Sequence, residues 1–284
     1  MTDGLQQGIA LIGASGWLGG SVGPALLRRR VIGPSGFVAA NRSGRSQHYE
    51  DWPDLRWTTD PGKAAGGADI VILSVLPQDF RGMSLDCAGK LIISFMAGVS
   101  CAEIAQRTGA GRVVRALPNA AVQIGRSYSP WFATDAVTLQ DKEAVTAILS
   151  SVGDADELKD EGDLAAITIL SGAGPAYAAL LAKALLDAAQ AQGLPPDIAA
   201  KAVKAMICDA PALMADRIEQ AGDIVRDYVD YRGTTAAALS AAQDAGFELA
   251  VHAAVQAGMD KVKSMSDRRP GDDLHPPPGN KLTG

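Results

Sequence analysis

Concentrated positive charge is scarce in this 284-residue chain: 26 lysines and arginines are scattered among 32 aspartates and glutamates, for a net charge of −6. A protein that neutralises backbone phosphates needs a basic face, so nucleic acid is excluded as a partner. The one basic triplet, Arg28-Arg29-Arg30, falls where a helix is predicted to end and its charge complements the helix dipole. Cysteine and histidine are also few. Cys87, Cys101 and Cys208 lie far apart without a CxxC, and His48, His252 and His275 have no metal-ligand spacing. This excludes a disulfide framework and a metal centre, and it predicts reduced thiols in the cytoplasm. A secretory leader is not expected in the uncharged run 4–27, because its positive cluster follows the apolar residues and seven glycines interrupt them.

The chain does hold several short apolar runs that end on turn residues. Gly8-Ile-Ala-Leu-Ile-Gly13 is followed by Ala-Ser-Gly-Trp-Leu-Gly-Gly20 and a helical stretch to Arg30, which predicts strand, glycine turn, helix. Glycines there let the backbone approach a pyrophosphate, and the helix start offers unpaired amides. Gly13, Ser15, Gly16, Trp17 and Leu18 are therefore the expected phosphate-binding loop, although Ser15 stands where a dinucleotide fingerprint has its second glycine. A second strand from Gly36 ends in Asn41-Arg42-Ser43-Gly-Arg45. A carboxylate at that point would bind the free ribose of NAD; these donors and cations favour the 2′-phosphate of NADP. A solvated basic loop is the plain alternative.

Buried strands are predicted at 68–75, 91–95 and 112–116, giving a parallel sheet covered on both faces. Ligands gather at the carboxyl ends of such strands, so Val75, Leu76, Pro77, Met96 and Ala97 are expected beside the nicotinamide. A further strand is predicted at 128–134, a helix at 141–152 and a short strand at 155–159. Beyond Glu161 the pattern is helical, with helices over 164–192, 197–219, 235–245 and 247–266. The first, with Ser171 as cap and Gly193 as stop, is apolar on nearly every face and is expected to be buried. A transmembrane reading competes, since no charge falls between Asp163 and Lys183, but the Gly-Ala-Gly-Pro interruption and many alanines argue against it. The expected domains are 1–160, 161–266 and a disordered tail over 267–284.

In order and spacing, these motifs resemble the pyrroline-5-carboxylate reductase family from about Gly8 to Met265. They comprise the glycine turn, Asn41-Arg-Ser43, Val75-x-Pro-Gln78, Ala97-Gly-Val-Ser100, Pro118-Asn119, Leu170-Ser-Gly-x-Gly-Pro-Ala-Tyr177 and Gly233-Thr-Thr235. The resemblance implies an α/β chain, with a Rossmann-type dinucleotide-binding domain followed by an all-helical dimerisation domain. It also implies NAD(P)H-dependent reduction of a cyclic imine to proline in a homodimer or larger homo-oligomer, with substrate held where subunits meet. Thr234 and Thr235 are then expected to hold the substrate carboxylate and ring nitrogen, with Thr235 as catalytic partner of the nitrogen. Glu161 matches an acidic substrate contact, and Ser171 and Gly172 line the same pocket.

The chain departs from the family pattern at Ser15-Gly16, at Leu76 where a lysine is usual, at Ala120-Ala-Val122, and at Tyr231-Arg-Gly233 in place of Pro-Gly-Gly. The last change brings an aromatic ring and Arg232, a second anion contact, beside the carboxylate site. A related imine or amino-acid oxidoreductase and a non-catalytic nucleotide-binding dimer are the alternatives. A short-chain dehydrogenase is not, because no Tyr-x-x-x-Lys is present.

Overall fold

The computed structural model describes residues 5–266, so the expected tail lies outside the described residues. The chain divides into two compact units, one running to Gly172 and including the end of the last helix from Met259, the other Ala173–Gly258.

The first unit is built on a seven-stranded sheet. Strands β1 (Ile9–Ile12), β2 (Phe37–Ala40), β4 (Ile70–Leu73) and β5 (Leu91–Ser94) are buried at every position, as β-branched and aliphatic runs between turn residues should be. With β3 (Arg56–Thr58), β6 (Arg112–Ala116) and β8 (Trp131–Ala133) they take the order β3-β2-β1-β4-β5-β6-β8, all parallel except the antiparallel β8 edge. After β1 the chain winds outward to β2 and β3, then returns to β1's other side with β4. That reversal opens a crevice at the carboxyl ends of β1, β2 and β4.

Alternate residues feed two cores. Ile9, Leu11, Ile70, Ile72 and Ile93 pack with Val22 and Leu26 of α1 (Gly19–Arg28) and with Val145 and Ile148 of α5 (Leu139–Leu149). On the other face, Ala10, Val71, Leu73 and Ile92 pack with Ala64 and Ala65 of α2 (Pro61–Gly66), Phe80 of α3 (Pro77–Arg81) and Ile104 of α4 (Cys101–Thr108).

Several elements differ from expectation. β3, α2, α3 and α4 were not expected, being three to eight residues long; α2 and α4 are started by the side-chain caps Asp60 and Ser100. The strand expected over 128–134 is broken at Ser129-Pro130 into β7 (Ser127–Tyr128) and β8. β7 pairs instead with β9 (Gly153–Asp154), which lies N-terminal to the strand expected at 155–159.

The α5 start holds a buried carboxylate. Asp141, 1% exposed, accepts from the Thr138 amide and hydroxyl at 2.9 and 2.8 Å and from Arg112 Nη1 at 2.7 Å. Burial opposes its charge, but these donors outweigh burial and hold the carboxyl below its ordinary range. A folded-state pKa below the unfolded one contributes stability above about pH 3.9 that is lost as pH falls through the lower value. Asp141→Ala should therefore destabilise the protein by roughly 2–3 kcal/mol at neutral pH, by removing the carboxylate partner of Arg112 and the Asp141 half of the capping box at the start of α5. Denaturant melts at pH 7 and pH 3 check this, with the gap between variant and wild type narrowing at the lower pH.

The long apolar helix is corrected in two ways. It is interrupted: α6 (Asp163–Ile167) gives way to a π-helical turn at 168–172 before α7 (Gly174–Ala191), so Ser171 does not cap α7 and Ala173 holds that position. It is also uncovered within the chain. No residue of α7 is buried, and Asp163–Ala191, which holds an 18-residue stretch of mean hydropathy 1.7, is long and apolar enough to cross a membrane. Periodicity shows that such a helix needs an apolar surround; it does not show which molecule supplies it.

In the second unit α7 packs with α8 (Pro196–Lys204) and α9 (Ala221–Asp230) with α10 (Thr234–Asp244). The helix expected over 197–219 breaks into α8, a π-turn at 205–209 and a short 3-10 stretch at 210–214, where Pro211 cannot donate to the helix ladder. No element was expected over α9. The last helix, α11 (Phe247–Ser266), matches its expected span.

Candidate cofactor cleft and threonine loop

The crevice at the β1–β4 reversal is a cleft of about 580 Å³ lined by Gly13, Ser15, Gly16, Asn41, Arg42, Ser74, Val75, Leu76, Gln78 and Asp79, among others. Its floor is the glycine bend. Gly13 has φ +88°, and a Cβ there would stand 2.1 Å from the Ser74 carbonyl oxygen. Its amide and that of Ala14 donate to the Ala40 carbonyl, tying the bend to the exit of β2. Gly19 lets α1 press onto the bend, since a Cβ there would lie 2.2 Å from the Gly13 oxygen; at Gly16 the same distance is 3.2 Å. The tight turn and the close helix packing thus fall on Gly13 and Gly19. The amides of Ser15, Trp17 and Leu18 have no backbone partner among the described residues, which leaves them available to an anion at the start of α1.

Tyr49 anchors this helix start and escaped notice in the sequence. Its hydroxyl donates to the Gly19 carbonyl at 2.8 Å, and its ring occupies the space a Cβ at Gly23 would need, while His48 lies over Gly20. The extra glycines of α1 therefore make room for an aromatic brace. Burial pushes the phenol above its ordinary pKa, so it remains a neutral donor.

At the ribose-reading loop, Asn41 Nδ2 donates to Ser43 Oγ at 2.7 Å. Arg45, expected among the phosphate donors, is tied to the carbonyls of Pro53 and Leu55. Arg42 is the cation left at the cleft, 82% exposed and facing Asp79 with paired N–O distances of 3.4 Å. Leu76 lines the cleft as the residue before α3, and Pro77 opens that helix. Trp17 lines a different groove with Gly20, Arg28 and His48; Met96 is 2% exposed within the core, and Ala97 is half-buried next to it.

Glu161 ends the first unit's last loop. Its Oε1 accepts from the Cys101 amide at 2.8 Å and from Arg115 Nη1 at 2.7 Å, so it joins the start of α4 to the end of β6. Burial, reinforced by Glu161, pushes the Cys101 thiol up to about 12, which keeps it protonated and unreactive. Ser171 and Gly172 lie in the π-helical turn.

In the second unit, Thr234 and Thr235 open α10 behind Gly233, which holds the cap position without a side-chain cap. Both threonines are exposed, and among the described residues neither hydroxyl has a partner. They are not acting as caps, the ordinary role of threonine at a helix start. Arg232 precedes them with φ +57°, a left-handed conformation that an arginine seldom adopts, and Tyr231 is 84% exposed.

Comparison with known proteins agrees with this architecture. Residues 161–265 match the family model described as pyrroline-5-carboxylate reductase dimerisation. A pyrroline-5-carboxylate reductase of Corynebacterium melassecola is 31% identical over 270 residues, covering 90% of this chain and 98% of the relative. That of Pseudomonas aeruginosa is 30% identical, covering 92% and 97%. Among solved structures, a pyrroline-5-carboxylate reductase from Coxiella burnetii superposes with TM-score 0.80 at 25% identity, over 93% of this chain and all of the other. The Plasmodium falciparum pyrroline carboxylate reductase, solved with NADP bound, has the same fold, with TM-score 0.78 at 22% identity over 92% of this chain and 99% of the other. With a Rossmann-type sheet unit followed by a helical region of the dimerisation type, the chain belongs to the pyrroline-5-carboxylate reductase family of oxidoreductases acting on CH–NH bonds.

Proposed function

We propose that this protein reduces pyrroline-5-carboxylate to L-proline with NADPH as its preferred reductant. The observation that carries the reading is the Gly13 bend, a cradle that a single methyl group would fill, opening into a cleft whose exposed cation is Arg42. These residues fit a phosphorylated dinucleotide. The free amides of Ser15, Trp17 and Leu18 hold the pyrophosphate, and Arg42, with Asn41 and Ser43, holds the 2′-phosphate. Val75 and Leu76 line the nicotinamide end, with Pro77, Ala97 and the backbone of Met96, whose side chain is buried in the core, as its supports. When bound, the cofactor supplies the hydride.

The remaining work falls to the threonine loop. The first-turn amides of α10 at Thr234 and Thr235 receive the substrate carboxylate, and the Thr235 hydroxyl accepts from the protonated imine nitrogen. This fixes the orientation of the ring, and orientation is the main catalytic contribution. On the first unit, Glu161, Ser171 and Gly172 are proposed as substrate contacts; on the second, Arg232 adds a second anion contact beside the threonines. The test is oxidation of NADPH on addition of pyrroline-5-carboxylate, with proline as product; folded protein that binds NADPH and does not turn over would overturn it. A second reading, a related imine as substrate, is favoured by the exposed Tyr231 and the left-handed Arg232. An activity screen over imines that differ in ring size and acidic groups separates the two.

The uncovered α7 helix supports a homodimer, or a larger homo-oligomer, as the source of its apolar surround, in the cytoplasm and not in a membrane. So long an apolar helix left open would otherwise drive aggregation. The expected result is a monodisperse species of at least twice the chain mass by light scattering in detergent-free buffer. A requirement for detergent would contradict it.

A further inference from the structure

The cleft contains an ion pair that a 2′-phosphate has to displace. Arg42 leaves the end of β2, and Asp79 sits in the first turn of α3, 37 residues on; both line the cleft, and their two N–O contacts of 3.4 Å run across it. Arg42 is 82% exposed and Asp79 27%, so the carboxylate is the better seated partner and the arginine is the mobile one. We infer that Asp79 is a specificity-determining residue, one that competes with the 2′-phosphate for Arg42 and so restrains the preference for NADPH over NADH. The inference rests on the reading that the dinucleotide occupies this cleft.

The physical case is one of shared donors. A guanidinium presents one planar fork, and the fork that faces a carboxylate cannot at the same time face a phosphate in paired fashion. The 2′-phosphate carries more charge and wins the arginine, but it does so against the lost Arg42–Asp79 pair. NADH brings only a hydroxyl to this place, and the pair can stay closed. The two cofactors therefore meet different opposition from one carboxylate, and only a difference of this kind changes a preference.

Asp79→Asn keeps the side-chain volume and removes the charge. Binding is measured with NADPH and NADH, and with adenosine 2′,5′-bisphosphate and AMP, which report on the same subsite without turnover. The expected result is about fivefold tighter binding of the two 2′-phosphorylated probes, the scale of an exposed ion pair, with NADH and AMP unchanged. In Arg42→Ala protein, which binds the 2′-phosphorylated probes more weakly from the start, Asp79→Asn should bring no such gain. An unmoved ratio between phosphorylated and unphosphorylated probes overturns the inference while leaving the cleft assignment intact, and so does a gain that persists without Arg42. If wild-type protein binds none of the four probes, the cleft assignment and the inference fall together.

Discussion

Replacing Gly13 with alanine is expected to weaken NADPH binding severely. The added methyl would lie 2.1 Å from the Ser74 carbonyl oxygen and 2.7 Å from its carbon, and both are backbone atoms at the exit of a buried strand. They cannot swing aside as the end of a flexible side chain does. The backbone at φ +88° is closed to an L side chain as well, a penalty on the order of 1–3 kcal/mol before any clash. The bend therefore shifts away from β4, and the amides of residues 15–18 shift with it. Affinity should fall by roughly 10²-fold or more, the equivalent of about 2.7 kcal/mol, with a lower unfolding midpoint. Gly16→Ala is the matched control: its Cβ would meet the Gly13 oxygen at 3.2 Å, so a small adjustment accommodates it and binding should weaken only several-fold. Fluorescence titration with NADPH reads both variants. Similar losses at the two positions would show that flexibility of the loop matters and the close approach at Gly13 does not.

Thr235→Ala is expected to lower kcat/KM for pyrroline-5-carboxylate by roughly 10²-fold, the scale of losing one preorganised hydrogen-bond group at the reacting centre. NADPH affinity should not change. The basis is that Gly233 occupies the cap position of α10, leaving the Thr235 hydroxyl exposed and without a partner among the described residues. A threonine engaged in capping would produce a stability loss on truncation; this one should produce a catalytic loss with an unchanged melting curve. Thr235→Ser keeps the hydroxyl and should recover most of the rate. Steady-state kinetics with both variants decides the matter, and a rate within a few-fold of wild type for Thr235→Ala would remove the residue from the mechanism.

Where local chemistry alone determines structure, the sequence could be read directly. The runs Ile9–Ile12, Ile70–Leu73 and Leu91–Ser94 are strands because aliphatic residues covered on both faces have few other stable forms, and Gly13 marks its turn because little else fits. What escaped depends on partners distant in the chain. Tyr49 is an ordinary aromatic until Gly19 and Gly23 are seen beneath it. Arg45 has the same charge as Arg42, yet carbonyls of the 53–55 loop take it from the phosphate loop, and a linear reading cannot distinguish the two. Glu161 also has a structural role that its position does not show: its Oε1 accepts from the Cys101 amide and from Arg115, partners 60 and 46 residues away. Pro211 did signal a break in the helix over 197–219, and the surrounding apolar pattern masked it. The exposed α7 marks a different limit, since a single chain's sequence specifies the need for cover without specifying its source.

The most direct test of the account follows the hydride itself. Purified protein is given pyrroline-5-carboxylate and NADPH deuterated on one face of the nicotinamide ring, then on the other, and the product is examined by mass spectrometry. Proline should carry a single deuterium from one of the two labelled cofactors and none from the other, because a cleft anchored by the Gly13 bend presents one face of the ring. Unlabelled proline from both, or no proline from protein that binds NADPH, would contradict it.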